Sequence, residues 1–212
     1  MISDPQVFQS VVLASLLAWA SGLRLYFVVF SAGMAGYLGY LDLPPGLEVL
    51  QHPWVIGASG FLLVMEFLVD KVPGLDSTWD ALHTIIRIPA GALLAAGATG
   101  DSLSALTVAA GLLGGTITAG THLTKAGSRA MLNASPEPFS NWTASFTEDG
   151  LVVTGIWLAL LYPLVFLVAL AVFLALVIWL LPKLWQGIAG MWRLLRTRTM
   201  IGRATRGEEQ PP

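Results

Sequence analysis

The sequence predicts an all-α, polytopic membrane protein of about five to seven membrane helices, some of them short or re-entrant. Composition is the first observation behind this. Of the 212 residues, 55% are hydrophobic and 11% charged, where a soluble domain carries about 25% charged residues to cover its wetted surface. The second is run length: residues 5–41, 54–69, 88–121 and 150–182 each contain a segment of membrane length. The third is the placing of basic residues. Six of the eleven Lys and Arg lie at or after Lys183, and the positive-inside rule puts that tail in the cytoplasm. A multi-pass protein of a bacterial inner membrane is expected. Residues 1–183 read as one integral membrane domain, and 184–212 as a basic amphipathic segment ending in a disordered tail.

The elements follow in order. The first run lacks a basic leader and resumes past Arg24, so it reads as a mature span and not as a signal peptide. Residues 5–41 are too long for one ordinary span and slightly short for two. The break falls at Ser21-Gly22: two short helices meet at a glycine turn inside the membrane, since Gly frees the backbone and Arg24 needs a polar setting. A Pro-rich loop (41–53) leads to a span from Trp54 to Val69. That helix ends near Pro73, Gly74 turns the chain, and Asp76 or Ser77 caps a new helix, with Asp80 placed as in a capping box. Residues 103–133 read as one helix, whose Gly111 and Gly115 form a face for close approach. Pro136 and Pro138 break it. The segment 133–149, with Phe139, Trp142 and Phe146 but no Lys or Arg, reads as a partly inserted re-entrant element or as a plain loop. The last run is the most lipid-like, and Pro163 makes it one kinked helix or two spans. "SGLRL" (21–25) and "AGTHL" (119–123) echo each other, a weak hint of an inverted repeat.

Several chemistries drop out. Without cysteine there is no disulfide, thiolate metal site or cysteine nucleophile. No phosphate-binding loop, dinucleotide fingerprint, HExxH or GxSxG occurs, so no catalytic residue is nominated and no enzyme is expected. Metal ligation by Glu66, Asp70, His83 and His122 is chemically open, but neighbouring Lys and Arg compete for the carboxylates. No metal or cofactor is expected.

Three polar constellations remain. In 64–87, Glu66 and Asp70 share one helix face. Glu66 sits within "FLLVMEFLV", where an ionised carboxylate costs about 2.5–3.5 kcal/mol at mid-membrane; it is functional or paired with Arg24, Lys71 or Arg87. Asp80, His83 and Arg87 fall within about 60° of one stripe, opposite Leu82, Ile85 and Ile86. Asp76 to Arg87 read equally well as a surface helix with its charges in water. In the second constellation His122, Lys125, Arg129 and Asn133 make a stripe about 80° wide. Three basic groups there repel unless an anion or carboxylates lie between them, and Glu66, Asp70, Glu137, Glu148 and Asp149 are the internal candidates. A basic helix end snorkelling to headgroups is the plainer reading. The third constellation is polar and Pro-punctuated, with Asn141, Glu148 and Asp149.

Two signatures summarise these residues: Glu66, Asp70-Lys71, Pro73, Asp76, Asp80, His83 and Arg87; and His122, Lys125, Arg129, Asn133, Ser135-Pro136-Glu137-Pro138, Ser140-Asn141, then Glu148-Asp149. With Ser21-Gly22-Leu23-Arg24 they resemble the bacterial membrane family known as domain of unknown function 4126, over residues 10 to 180. The resemblance implies a compact multi-helix membrane fold with these polar residues as its hallmark, and it brings no established activity. A looser similarity to cation/proton exchangers with Glu-x-Gly-Asp-Lys-Ser/Thr departs at the Glu-to-Asp spacing, the missing Gly and Val72.

The expected function is a small secondary transporter or flippase moving an anionic or phosphate-bearing substrate, coupled to protons, through a polar intramembrane cavity. Arg24, Arg87, His122, Lys125, Arg129, Asn133 and Asn141 would bind the substrate. Glu66, Asp70, His83, Glu148 and Asp149 would carry protons. The alternatives are a divalent-cation/proton exchanger and, from another class, a non-catalytic structural or assembly protein whose charges pair internally. Membrane lipids are expected partners and nucleic acid is not; a homo-oligomer stays open.

Overall fold

The computed structural model describes residues 5–100, 104–133 and 138–207. Among them the chain forms six α-helices, one 3-10 helix and no strand. These are α1 (Pro5–Tyr37), the 3-10 helix (Pro45–Gln51), α2 (Pro53–Val69), α3 (Leu75–Gly97), α4 (Ala105–Leu132), α5 (Pro138–Leu161) and α6 (Pro163–Gly207). α1, α4, α5 from Phe139 and α6 as far as Gly190 are long and apolar enough to cross a membrane, and the 3-10 helix with α2, bent by 70°, makes up to five. α3 is long enough but more polar, since Asp76, Asp80, His83 and Arg87 lie on it. The outcome is the all-α polytopic membrane fold.

Local chemistry sets the boundaries. Pro53, Pro138 and Pro163 each open a helix, where a missing N–H leaves no gap and φ is already helical. α5 therefore stops at Leu161 and α6 restarts at Pro163: two helices, not one kinked one. His52 Nδ1 accepts from Trp54 N–H at 3.3 Å and Ser104 Oγ from Thr107 N–H at 3.2 Å, capping α2 and α4. Gly74, at φ +85°, makes the turn into α3 and takes the N-cap position itself. Asp76 lies inside the first turn and accepts from the N–H groups of Gly74 (3.0 Å) and Ser77 (2.6 Å), so the capping box expected between Ser77 and Asp80 does not form.

α1 is the centre of the molecule. It bends at Arg24, whose φ of −142° and ψ of 70° are not helical. The expected break is real but lies two residues past Gly22. Beyond it the chain turns back. A Cβ on Gly33 would abut Leu50, one on Gly36 would meet Gln51 and Leu43, and Gly46 of the 3-10 helix rests on Gly97. Pro5, Gln6, Leu41, Asp42, Ala98, Gly100, Leu160 and Pro163 all line one cavity of about 760 Å³. Both ends of α1 thus lie at one end of the bundle, the upper end, with the C-termini of α3 and α5 and the N-termini of α2 and α6. The α2–α3 turn, the close of α4 and the start of α5 lie at the lower end, where Trp142 Nε1 donates to Lys71 O at 3.2 Å and Asn133 bonds Asp76 at 2.8 Å. α1 is a re-entrant V, and α2 to α6 run between the ends.

Small residues let α3 and α4 close on α1. A Cβ on Gly22 would stand 2.6 Å from Thr121 Cβ and 2.8 Å from Thr118 O. Gly111 and Gly115 face Ala92 and Ala96 of α3, the close approach expected of that face. The two segments that echo one another, 21–25 and 119–123, meet at this crossing. Trp19 packs edge-on against Phe166 and Phe173 and seats α6 on α1. The segment from Pro138 to Asp149, expected to be re-entrant or a loop, is ordinary α-helix; residues 134–137, with Glu137, lie outside the described ones. α6 runs on through Gly207, and 208–212 lie outside the described residues.

Candidate functional site

The bend in α1 makes part of the site. Interrupting a helix frees carbonyls that its next turn would have bonded, and at membrane depth these need partners. Arg87 Nη1 donates to Leu23 O at 3.0 Å, and Lys125 Nζ donates to the same oxygen at 3.1 Å. Two buried cations therefore hold the tip of the V.

Around that tip four basic side chains converge, each at most 4% exposed: Arg24, Arg87, Lys125 and Arg129. Arg24 pairs with Asp70 through Nη1 and with Asp149 through Nε at 2.8 Å, and its Nη2 donates to Ser145 Oγ at 2.9 Å. Arg87 pairs with Glu66 and reaches Asp80 at 3.6 Å. Lys125 Nζ is the hub, 3.3 Å from Asp70, 3.4 Å from Glu148, 3.6 Å from Asp80 and 3.7 Å from Glu66. Arg129 grips Glu148 with two nitrogens at 3.0 and 3.1 Å, donates to Asp70 O at 2.9 Å and stands 3.5 Å from Asp76. A bidentate fork of this kind is the geometry at which Arg excels.

Six carboxylates (Glu66, Asp70, Asp76, Asp80, Glu148 and Asp149) therefore face four cations. Acid is in surplus. Glu66 Oε2, Asp70 Oδ1 and both oxygens of Asp80 are buried without a hydrogen bond. Every cation is shared among carboxylates, so of the two partners the basic stripe could have, an anion or acidic side chains, it has the acidic side chains Glu66, Asp70, Glu148 and Asp80 around it. The surface-helix reading of Asp76 to Arg87 is overturned: Asp76, Asp80 and Arg87 are fully buried. The apolar face opposite is the outward one, with Leu82, Ile85 and Ile86 at least half exposed.

The remaining expected residues fall on both sides of that boundary. His122 is buried, its Nε2 2.8 Å from Thr84 Oγ1 and 3.2 Å from Asp80 O. Asn133 donates to Asp76 and Ser77, and Asn141 donates to Asn133 at 2.7 Å. His83 is not brought in. Its ring stacks on Trp79 at 3.9 Å and meets Tyr26 edge-on, because α3 turns its offset of about 60° from Asp80 and about 40° from Arg87 toward the returning arm of α1. Asp76, Asp80 and Ser145 belong to the network although no site role was expected of them. Their spacing held the signal: Asp76, Asp80 and Arg87 recur at helical intervals, as do Asn141, Ser145 and Glu148.

Lys71 stands at the edge of this cluster. Its Nζ lies 3.0 Å from the Phe67 ring centroid and 5.0 Å from that of Phe146. Partial burial holds its ammonium below the ordinary lysine range, with Asp149 acting the other way.

Residues 11–183 match the family model described as Domain of unknown function (DUF4126). The chain belongs to that family. No curated protein and no solved structure matches it.

Proposed function

We propose that this member of the family is a small proton-coupled secondary transporter or flippase for an anionic, phosphate- or carboxylate-bearing substrate, with the buried ion network as its coupling element. One observation carries the reading: every buried cation is already shared among carboxylates, and carboxylates outnumber cations by six to four. An anion gains Arg24, Lys125 or Arg129 only by displacing a carboxylate. A displaced carboxylate in a low-dielectric interior is costly while charged and takes a proton. Anion binding and proton uptake are then one event, which is the coupling a symporter needs. The re-entrant tip of α1, pinned through Leu23 O, is the element such an event would release.

The lower end of the bundle faces the cytoplasm of a bacterial inner membrane in this reading. Residues 5–10, 38–52 and 98–100, at the upper end, contain no Lys or Arg, while the basic stretch from Lys183 follows the lower-end half of α6. The positive-inside rule orients the molecule accordingly. Glu66, Asp70, Asp76, Asp80, Glu148 and Asp149 then pass protons in the cytoplasmic half.

The specific rival is a cation/proton exchanger, favoured by the four carboxylates around Lys125 Nζ. There a substrate cation would replace the ammonium. Proteoliposomes with a trapped pH dye separate the readings. Glycerol phosphate, or fluorescent phosphatidylglycerol followed by quenching, is offered as substrate, and calcium or sodium as competing cargo. The expected result is proton entry together with the anionic probe, lost at least tenfold in Lys125→Ala and Glu66→Gln while both variants stay monodisperse. Proton exit driven by a cation gives the site to the exchanger. Flux that is absent in the wild type, or unchanged in both variants, leaves an internally paired structural protein.

A further inference from the structure

α2 and α5 flank the returning arm of α1 and leave a crevice between them of about 380 Å³, lined by Arg24, Phe27, Leu63, Val64, Phe67, Asp149 and Val152. Its volume lies within the range of about 300–1,000 Å³ typical of small-molecule sites. Its walls are hydrocarbon. Its outer lip, Val64 and Phe67, is 56% and 40% exposed, on helices whose outward residues face lipid. Its floor is different, because Arg24 and Asp149, 2.8 Å apart, are members of the buried network. Lys71 crosses its lower end, with Nζ over Phe67 and toward Phe146, and Trp142 Nε1 ties the Lys71 carbonyl to α5.

We infer that this crevice is a lateral port for an anionic phospholipid of the surrounding bilayer. One acyl chain lies along Phe27, Leu63, Val64 and Val152, and the phosphate is held at Lys71, next to Arg24. Apolar walls open to the bilayer suit a chain and offer nothing to a hydrated solute, for which burial beside hydrocarbon forfeits its water. Lys71 supplies the complementary charge, and unlike the four network cations it has no carboxylate within ion-pair distance among the described residues. A basic side chain at the bilayer surface attracts an anionic headgroup. Asp149 sits beside the path of the phosphate, so an arriving headgroup contests Arg24 with that carboxylate. This rests on the network being a transport site and names its substrate class: an amphiphilic anion that enters sideways from the lipid, not from water.

The test is lipid retention by the full chain in native mass spectrometry, with phosphatidylglycerol and phosphatidylcholine of matched chains supplied together. The wild type is expected to retain phosphatidylglycerol at least tenfold over phosphatidylcholine. Lys71→Gln should abolish that preference, and Val64→Trp, at the exposed lip where the fold tolerates bulk, should block both lipids. Val152→Trp repeats the block from the opposite wall. Equal retention of the two lipids by the wild type, or undiminished retention in Val64→Trp, overturns the proposal. Displacement of phosphatidylglycerol by millimolar inorganic phosphate overturns it in favour of a soluble anion. Lipid retention without proton-coupled flux leaves the port standing and removes the transport reading. Flux of glycerol phosphate without lipid retention does the reverse.

Discussion

Arg87 shows how much a single residue carries in this network. It is fully buried, pairs with Glu66, reaches Asp80 at 3.6 Å and bonds the freed carbonyl of Leu23 at 3.0 Å. Removing its charge strands Glu66, for which Lys125 at 3.7 Å is a distant and already shared partner. The acid surplus also grows by one. Breaking a buried pair from one side costs about 3–5 kcal/mol, so Arg87→Gln should lower the unfolding free energy by that amount. Asp80→Asn acts in the opposite direction. Neither Asp80 oxygen has a hydrogen bond, and an amide there trims the surplus while offering a donor to its neighbours. Its effect should stay within about 1 kcal/mol of zero, on the stabilising side. Thermal unfolding of both variants in one detergent reads the contrast, and equal losses would show that charge balance does not organise the cluster.

At the scale of elements, the V of α1 works because α4 can approach its tip. Gly22 leaves no room for a side chain: a Cβ would sit 2.6 Å from Thr121 Cβ and 2.8 Å from a backbone carbonyl. Gly57, on α2, has nothing within 4 Å of its imagined Cβ. Gly22→Ala should therefore destabilise by about 1–3 kcal/mol through overpacking. Gly57→Ala should gain about 0.5–1 kcal/mol from helix propensity. Melting temperatures that move the same way in both would place α4 elsewhere. The same contrast explains what the chain disclosed before folding. The stripe from His122 to Asn133 was legible because one helix enforces its own 3.6-residue period, and the break near Gly22 because glycine beside arginine in an apolar run has few other uses. Burial of Asp76 and Asp80 was not legible. It depends on Arg87 beside them and on Lys125 and Arg129 arriving from α4, which no local pattern reports. Pro138 misled for a related reason: a proline that ends one helix equally opens the next, and only the i, i+4, i+7 spacing of Asn141, Ser145 and Glu148 marked the segment as helical.

Across the whole molecule, a re-entrant α1 followed by five helices running between the ends puts Pro5 and the end of α6 at opposite ends of the bundle. A single full crossing by α1 would instead leave both termini on one side. The proposed direction rests on charge, since the upper-end segments 5–10, 38–52 and 98–100 have no Lys or Arg and the basic stretch from Lys183 belongs to the lower-end half of α6. In the proposed orientation the network, built from the last turns of α4, the first turns of α3 and the start of α5, sits nearer the cytoplasmic surface, where the proposed proton acceptor would be reached from inside the cell. Because the chain has no cysteine, single cysteines can report this without background. Tyr40 and Phe139, each 81% exposed, mark the upper and lower ends. A membrane-impermeant maleimide should label Tyr40→Cys from outside spheroplasts and reach Phe139→Cys only after permeabilisation. Labelling of both from outside would mean that α2, α3 and α4 do not make three crossings between Tyr40 and Phe139, and would move the buried charges to a depth at which proton access from the cytoplasm no longer holds.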